Sequence, residues 1–494
     1  MENKLSPENY EFINETIFED SLSGSSSMTA NPITFTYNKA STSYFNLGSN
    51  LTGIQMTFEY TLTKADGAVP TAAGEHDCTL VHNFWSKYFT GVKITLGGSI
   101  IEQISNAFPA WIDFLSGYYD EYAKHGLGVG WCPDSPKNYL VAADGAISSN
   151  DEAITGALAA ASTATAATSA TLATVKRGLA NQGYLDRQNF YNYRANADAL
   201  EDVKATRRVT IFIPLNTMTV SARKMDLDLS NLDVQIDLST DSKNGVPQMY
   251  FGALGRMNVV LKDIKFLIHT YQPTPASSTA LDSIYKGGFE MIINRGDVLE
   301  QLDNAGNLSS ETIKHTVINK PLVIGLLFQR SFRKKKSAAE NTYGFINSGR
   351  NDHCFFKRVQ IRARDQIIPS LQGPDANFLE NSYYSLFNTY QDAVKKMNGY
   401  CLPVDSYTWK NVTPLFIYDL KKAVSATGKN TTMPVDITYY RDGNVGNVDA
   451  NYQNVTGVDA AVDKKKYDRY AMFIYYTHNI HYEPFCCSDL TFMA

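Results

Sequence analysis

Residues 89–104 read FTGVKITLGGSIIEQI, and residues 356–371 read FKRVQIRARDQIIPSL. The two stretches align without a gap at an offset of 267 (359 minus 92). In the first, Val92, Ile94 and Leu96 alternate with Lys93 and Thr95. In the second, Val359, Ile361 and Ala363 alternate with Gln360, Arg362 and Arg364. A period of two describes a strand with one face buried and the other wet. Each strand then meets a two-residue break, Gly97-Gly98 or Arg364-Asp365, and resumes at Ile100-Ile101 or Ile367-Ile368. Gly-Gly accepts the positive φ of a tight hairpin turn. Arg-Asp suits it poorly, so a wider second turn is expected.

The match continues downstream. After the first hairpin, Trp111, Leu115, Tyr118 and Tyr122 fall at i, i+4, i+7 and i+11; after the second, Leu379, Tyr383, Leu386 and Tyr390 repeat that spacing. Such spacing lines one face of a helix. Further strand-like segments pair in order: VTIFIPL (209–215) with VTPLFIY (412–418), NLDVQIDLS (231–239) with TMPVDITYY (432–440), and NVVLKDIKFLIHTY (258–271) with YAMFIYYTHNIHY (470–482). Their offset is roughly 205, so the first half carries about sixty extra residues (267 minus 205) between its helix and VTIFIPL.

Composition places the extra residues at about 140–195, where AITGALAAASTATAATSATLATV (153–175) is nearly all Ala, Thr and Ser. That segment reads either as a surface loop or partly ordered helix, or as a projection that packs on neighbouring subunits. YQPTPASSTALD (271–282) reads as a linker. Residues 1–28, polar and acidic and ending in SLSGSSSM, read as an arm that is mobile or orders only on a partner. The expected organisation is an arm (1–28), a first unit (29–272) with the insertion, and a second unit (273–494). Each unit is expected to be an eight-stranded antiparallel jelly roll with short helices, in an all-β chain.

A chain of 494 residues with 44% hydrophobic and 19% charged residues can bury more than one core. Its net charge of −5 argues against coating nucleic acid by bulk electrostatics. The start, MENKLSPENYEFINETIFEDS, has no basic end followed by an apolar run, so no signal peptide is expected. The six cysteines, at 78, 132, 354, 401, 486 and 487, lack zinc-site spacing and read as reduced thiols of an intracellular protein.

Motifs for phosphate cradling, zinc proteolysis and serine hydrolysis are absent. His478 and His481 would point to opposite faces of a strand, which does not suit one metal. Asp113, Asp120 and Glu121 are expected to solvate the outer face of the first helix. No catalytic, cofactor or metal residue is assigned. The one cationic run, QRSFRKKKSAAEN, holds Arg330, Arg333, Lys334, Lys335 and Lys336. It reads as a solvated loop, or as a patch that contacts nucleic acid or a neighbouring subunit.

Two similar sandwiches in tandem, each with a strand–turn–strand followed by a helix, resemble the double jelly-roll major capsid proteins of icosahedral double-stranded DNA viruses, a group that includes adenovirus hexon, virophages and the Polinton or adintovirus lineage. The resemblance rests on FTGVKITLGGSIIEQI and FKRVQIRARDQIIPSL with their helices and spans the chain from about residue 30. It implies a non-enzymatic shell protein, made inside the host cell and located in the virion. It implies a homotrimer whose six rolls make a nearly hexagonal capsomer. Its implied partners are neighbouring capsomers, a single-jelly-roll penton protein at five-fold vertices, and minor capsid or cement proteins, with no cofactor or specific small molecule. The competing readings are a carbohydrate-active β-sandwich enzyme, whose sugar groove would expose tryptophans, and a lectin-like binding protein.

Overall fold

The structure, a computed structural model, describes residues 14–21, 31–38, 43–64, 68–69, 78–119, 121–134, 140–141, 147–148, 182–191, 206–225, 229–230, 232–240, 249–252, 255–272, 279, 289–291, 293–304, 310–318, 321–330, 351, 353–363, 366–368, 375–378, 380–399, 404–420, 432–441, 467–476, 480–482 and 491–492. The first half of the chain supplies β1 (Asn14–Ser21), β2 (Ile33–Tyr37), β3 (Gly53–Lys64), β4 (Phe89–Leu96), β5 (Ser99–Ile104), β6 (Arg207–Pro214), β7 (Val234–Thr240) and β8 (Gly255–Gln272). The second supplies β9 (Asn294–Asn304), β10 (Ser310–Ile318), β11 (Pro321–Arg330), β12 (Phe356–Ala363), β13 (Gln366–Ile368), β14 (Phe416–Asp419), β15 (Thr432–Arg441) and β16 (Tyr467–Tyr476).

These strands form four antiparallel sheets. Their orders are β1-β8-β3-β6 and β2-β7-β4-β5 in the first half, and β9-β16-β11-β14 and β10-β15-β12-β13 in the second. Adding eight to each label of the first pair gives the second pair. Interleaving the first strands of a unit with its last is how a jelly roll closes its two sheets over one core. The register repeats as well. Ile94 lies opposite Ile236 across β4 and β7, and Ile361 lies opposite Ile437 across β12 and β15. Both pairs fall where the alignment of the two halves puts them.

The two hairpins agree in length. Gly97 and Gly98, at φ 51° and 80°, make the tight turn between β4 and β5. In the second roll Ala363 pairs with Gln366, the same spacing as Leu96 with Ser99; Arg364 and Asp365, for which the sequence predicts a wider turn, lie outside the described residues.

The N-terminal segment differs from its sequence reading. Residues 14–21, NETIFEDS, pair along β8 from Asn14–Gln272 to Ser21–Lys265. They take the position in roll one that β9 takes in roll two. An edge strand is held by backbone hydrogen bonds on one side only, so polar side chains do not prevent it. The remaining arm residues, 1–13 and 22–28, lie outside the described residues.

Two helices follow the hairpins, α1 (Phe108–Tyr118) and α2 (Tyr384–Asn398). Pro109 sits in the first turn of α1, where a missing N–H costs nothing. α2 starts later than the spacing predicts, with Tyr383 just ahead of it, and it buries Phe387, Tyr390, Ala393 and Val394. It ends at Gly399 in the left-handed region (φ 84°), with Lys395 and Lys396 favourably placed in its last turn.

Candidate functional site

The candidate site is the seam where roll one meets roll two. Its cause is legible in the strands. β11 reads PLVIGLLFQR, apolar on both faces, and residues 321–329 are all buried. In β16, residues 467–474 are all buried too. A strand buried on both faces has lost its solvent side to another layer. Here that layer comes from roll one: α1 lies on β11 and β16, and β5 and the short helix Val220–Lys224 lie on the neighbouring β9.

Trp111 and Phe114 of α1 come down on glycines. A Cβ added at Gly296 of β9 would stand 2.5 Å from the Trp111 ring, and one at Gly325 of β11 would stand 2.5 Å from the Phe114 ring. Neither position has room for a side chain. The Trp111 indole N–H donates to the Met218 carbonyl at 3.1 Å, which fixes the ring over Gly296. Phe114 stacks on Tyr118 at 5.5 Å, which fixes the other.

Polar groups pin the seam at three places. Fully buried Glu102 of β5 accepts from the Ser221 N–H at 2.8 Å, the Gly296 N–H at 3.2 Å and the Val220 N–H at 3.4 Å. It therefore satisfies the open N–H groups of a helix start and reaches into roll two at once. Burial raises its carboxyl above the usual range, while those N–H groups pull the other way. Asp113, buried, takes the Lys87 ammonium at 2.7 Å and the Gln329 amide of β11 at 3.3 Å. At the end of α1, the Tyr390 hydroxyl donates to the Gly117 carbonyl at 2.7 Å and the Asn398 amide to the Tyr118 carbonyl at 2.8 Å. Roll two thus caps the open carbonyls of a roll-one helix.

Two further buried clusters stiffen the rolls themselves. Within roll two, Glu311 of β10 takes Arg469 at 2.5 Å, the Tyr467 hydroxyl at 2.9 Å and the Tyr439 hydroxyl, linking its two sheets. On roll one, helix Gln182–Tyr191 docks through fully buried Arg187, which meets Asp134 at 2.6 Å and donates to the Leu80 carbonyl at 3.0 Å and the Cys132 carbonyl. Each of these acids is held by a cation or by backbone donors, so the arrangement supports rigidity.

No protein-family model matches the chain, and no curated protein matches it. Solved structures do. A chain in the 3.5 Å cryo-EM structure of the Sputnik virophage is similar at 11% identity and a TM-score of 0.51, covering 98% of this chain and 92% of that one. The Faustovirus major capsid protein aligns at 9% identity and a TM-score of 0.46, covering 97% and 92%. The mavirus major capsid protein aligns at 12% identity and a TM-score of 0.38, covering 98% and 91%. The fold is that of the double jelly-roll major capsid proteins.

Of the residues singled out from the sequence, Asp113 falls elsewhere in this double jelly roll than expected. Asp113 is not on a solvated face; roll two covers that side of α1. Asp120 lies outside the described residues, and Glu121 opens the short helix Glu121–His125. Arg330 closes β11, whereas Arg333, Lys334, Lys335 and Lys336 lie outside the described residues. His481 lies in the strand Ile480–Tyr482, and His478 lies outside the described residues. Among the described residues no group of His, Cys, Asp and Glu could hold a metal, and no helix is long and apolar enough to cross a membrane. Trp85, Trp111 and Trp409 are fully buried and unavailable to stack on a sugar. Sequence reasoning missed Glu102, Gly296 and Gly325. An acid inside an otherwise alternating edge strand was the signal for the first. A glycine amid the apolar run VIGLL was the signal for the last.

Proposed function

We propose that the chain is a structural major capsid protein. On this reading it forms a homotrimeric, pseudo-hexagonal capsomer, and these tile an icosahedral virion shell around a double-stranded DNA genome. One observation carries the proposal. The sheet β9-β16-β11-β14 of roll two is covered on its outer face by roll one, whereas among the described residues the equivalent sheet of roll one keeps that face open. Along β8, buried and accessible residues alternate, and Val260 is 42% exposed. The α2 side of roll two meanwhile presents Tyr384 and Tyr407, 64% and 57% exposed. A second copy can repeat the internal contact, its roll two packing on the open face of this roll one. Three such contacts close a ring of six rolls.

The remaining parts follow from the same reading. The division between rolls falls in the stretch after residue 272. Neighbouring capsomers, a single-jelly-roll penton and minor capsid or cement proteins complete the shell. The cationic run from Arg330 to Lys336 faces either the genome or a neighbouring subunit. Catalysis has no place in this account.

Sedimentation of the purified chain tests it. The expected species is a trimer of about three times 54.9 kDa, seen in electron micrographs as six-sided plaques. A stable monomer at micromolar concentration overturns the proposal.

A further inference from the structure

The seam is not filled throughout. Between the rolls lies a cavity of about 150 Å³. Tyr119, Ala123 and Trp131 line it from roll one, and Tyr390, Val404 and Val412 line it from roll two. Its surface is mostly apolar, and the acids and the imidazole beside it are engaged with protein partners. Asp113 is bound by Lys87 and Gln329, and Asp134 by Arg187. His82 accepts from the Cys132 N–H at 3.2 Å, and its other ring nitrogen lies 3.0 Å from the Asn83 amide. Burial and the nearby Arg187 and Lys87 charges push its pKa down to about 3, so the ring is neutral at physiological pH.

Size, neutrality and aromatic walls together define an occupant. A mostly apolar space of about 150 Å³ is large enough to take a benzene-sized molecule. An ion entering would give up its hydration without gaining a counter-charge. We propose that this inter-roll cavity is a binding site for one small neutral aromatic molecule, of benzene to indole size, that bridges the two rolls. A bound ring touches both halves of the chain, so it resists their separation. Ligand bound only by the folded state raises the unfolding midpoint by mass action. The proposal does not depend on trimer formation, since every lining residue belongs to one chain.

Thermal unfolding of the full chain, with and without indole or benzene near aqueous saturation, tests it. The expected midpoint rise is about 1–3 °C. Ala123 is exposed at the rim of the cavity, so Ala123→Trp can block it without entering the core. That variant is expected to fold and to lose the ligand-dependent rise. Trp131 gives a second readout on the unaltered fold: iodobenzene in the cavity should quench its fluorescence, and Trp131→Phe should lose that component. No midpoint rise and no quenching in the wild type overturns the proposal. An equal rise in Ala123→Trp also overturns it, because the ligand then acts elsewhere.

Discussion

Replacing Gly325 by alanine puts the seam under a direct test, because two effects of opposite sign compete there. Gly325 sits mid-strand in β11, opposite Ile417 and Met472, and its φ is not in the left-handed region. On an open sheet face, Gly→Ala would stabilise by about 0.4–1 kcal/mol through the unfolded chain alone. In this seam the new Cβ meets Phe114 at 2.5, 3.0 and 3.2 Å, against ordinary contacts of about 3.5–4.0 Å. The ring must therefore withdraw by close to 1 Å. Trp111 at 5.6 Å and Tyr118 at 5.5 Å flank it. Overpacking of this kind costs about 1–3 kcal/mol.

The expected net effect of Gly325→Ala is thus destabilisation, and its sign separates a packed seam from an open face. A double-mutant cycle with Phe114→Leu isolates the contact. The smaller side chain costs stability alone, but it should relieve the clash in the Gly325→Ala background. A coupling of about 0.5–3 kcal/mol is expected for groups in contact. Chemical denaturation followed by fluorescence measures all four corners. Stabilisation by Gly325→Ala, or additivity within about 0.3 kcal/mol, would refute the packing described here.

The other contacts give predictions of their own. Glu102 has its carboxyl pKa raised on folding. Such a group stabilises the fold below its unfolded value, about 4.3, and loses that contribution as pH rises through the folded value. The seam should loosen on that rise, and Glu102→Gln should flatten the slope; thermal midpoints taken from pH 4 upward check it, and an unchanged slope counts against the assignment. Removing one partner of the buried Arg187–Asp134 pair, as in Asp134→Asn, should cost about 3–5 kcal/mol. It should also open helix Gln182–Tyr191 to protease, with intact mass on a time course as the readout. Glu311→Gln leaves Arg469 buried without its acid and should cost a similar 3–5 kcal/mol; a midpoint equal to wild type would mean the cluster is not electrostatically linked.

Much of the fold lay on the surface of the sequence because strand period reports one buried face directly. Ile94 and Ile361 were readable as inward residues, and the same alternation in 231–239 and 432–440 found their partners. What period cannot report is a second partner on the other face. Asp113 follows Trp111 and Ile112 on a helix whose apolar stripe is clear, so the acid reads as solvent-facing. It is buried because roll two arrives on that side with Gln329, a contact 216 residues away in sequence. β1 was hidden for the opposite reason. NETIFEDS lacks an apolar row, and it is a strand because β8 offers it a free edge. Arg187 and Tyr191 lie beside a low-complexity run that carries no period, so their docking left no pattern to read.

The divergence of the two halves is itself informative about which surfaces meet. At the offset of 205, the outward residues Lys265, Leu267 and His269 of β8 correspond to Tyr470, Met472 and Ile474 of β16. The first three are partly exposed and the last three buried. An internal contact forms once, with no translational entropy to overcome, and nothing limits how apolar it becomes. A contact between copies must leave a free chain soluble before it assembles. On the proposed trimer, the lysine and histidine on β8 meet that requirement, and the apolar row on β16 belongs where the partner is always present. On that reading, one fold used twice carries one permanent seam and one reversible seam, and the chemistry of a single strand face separates them.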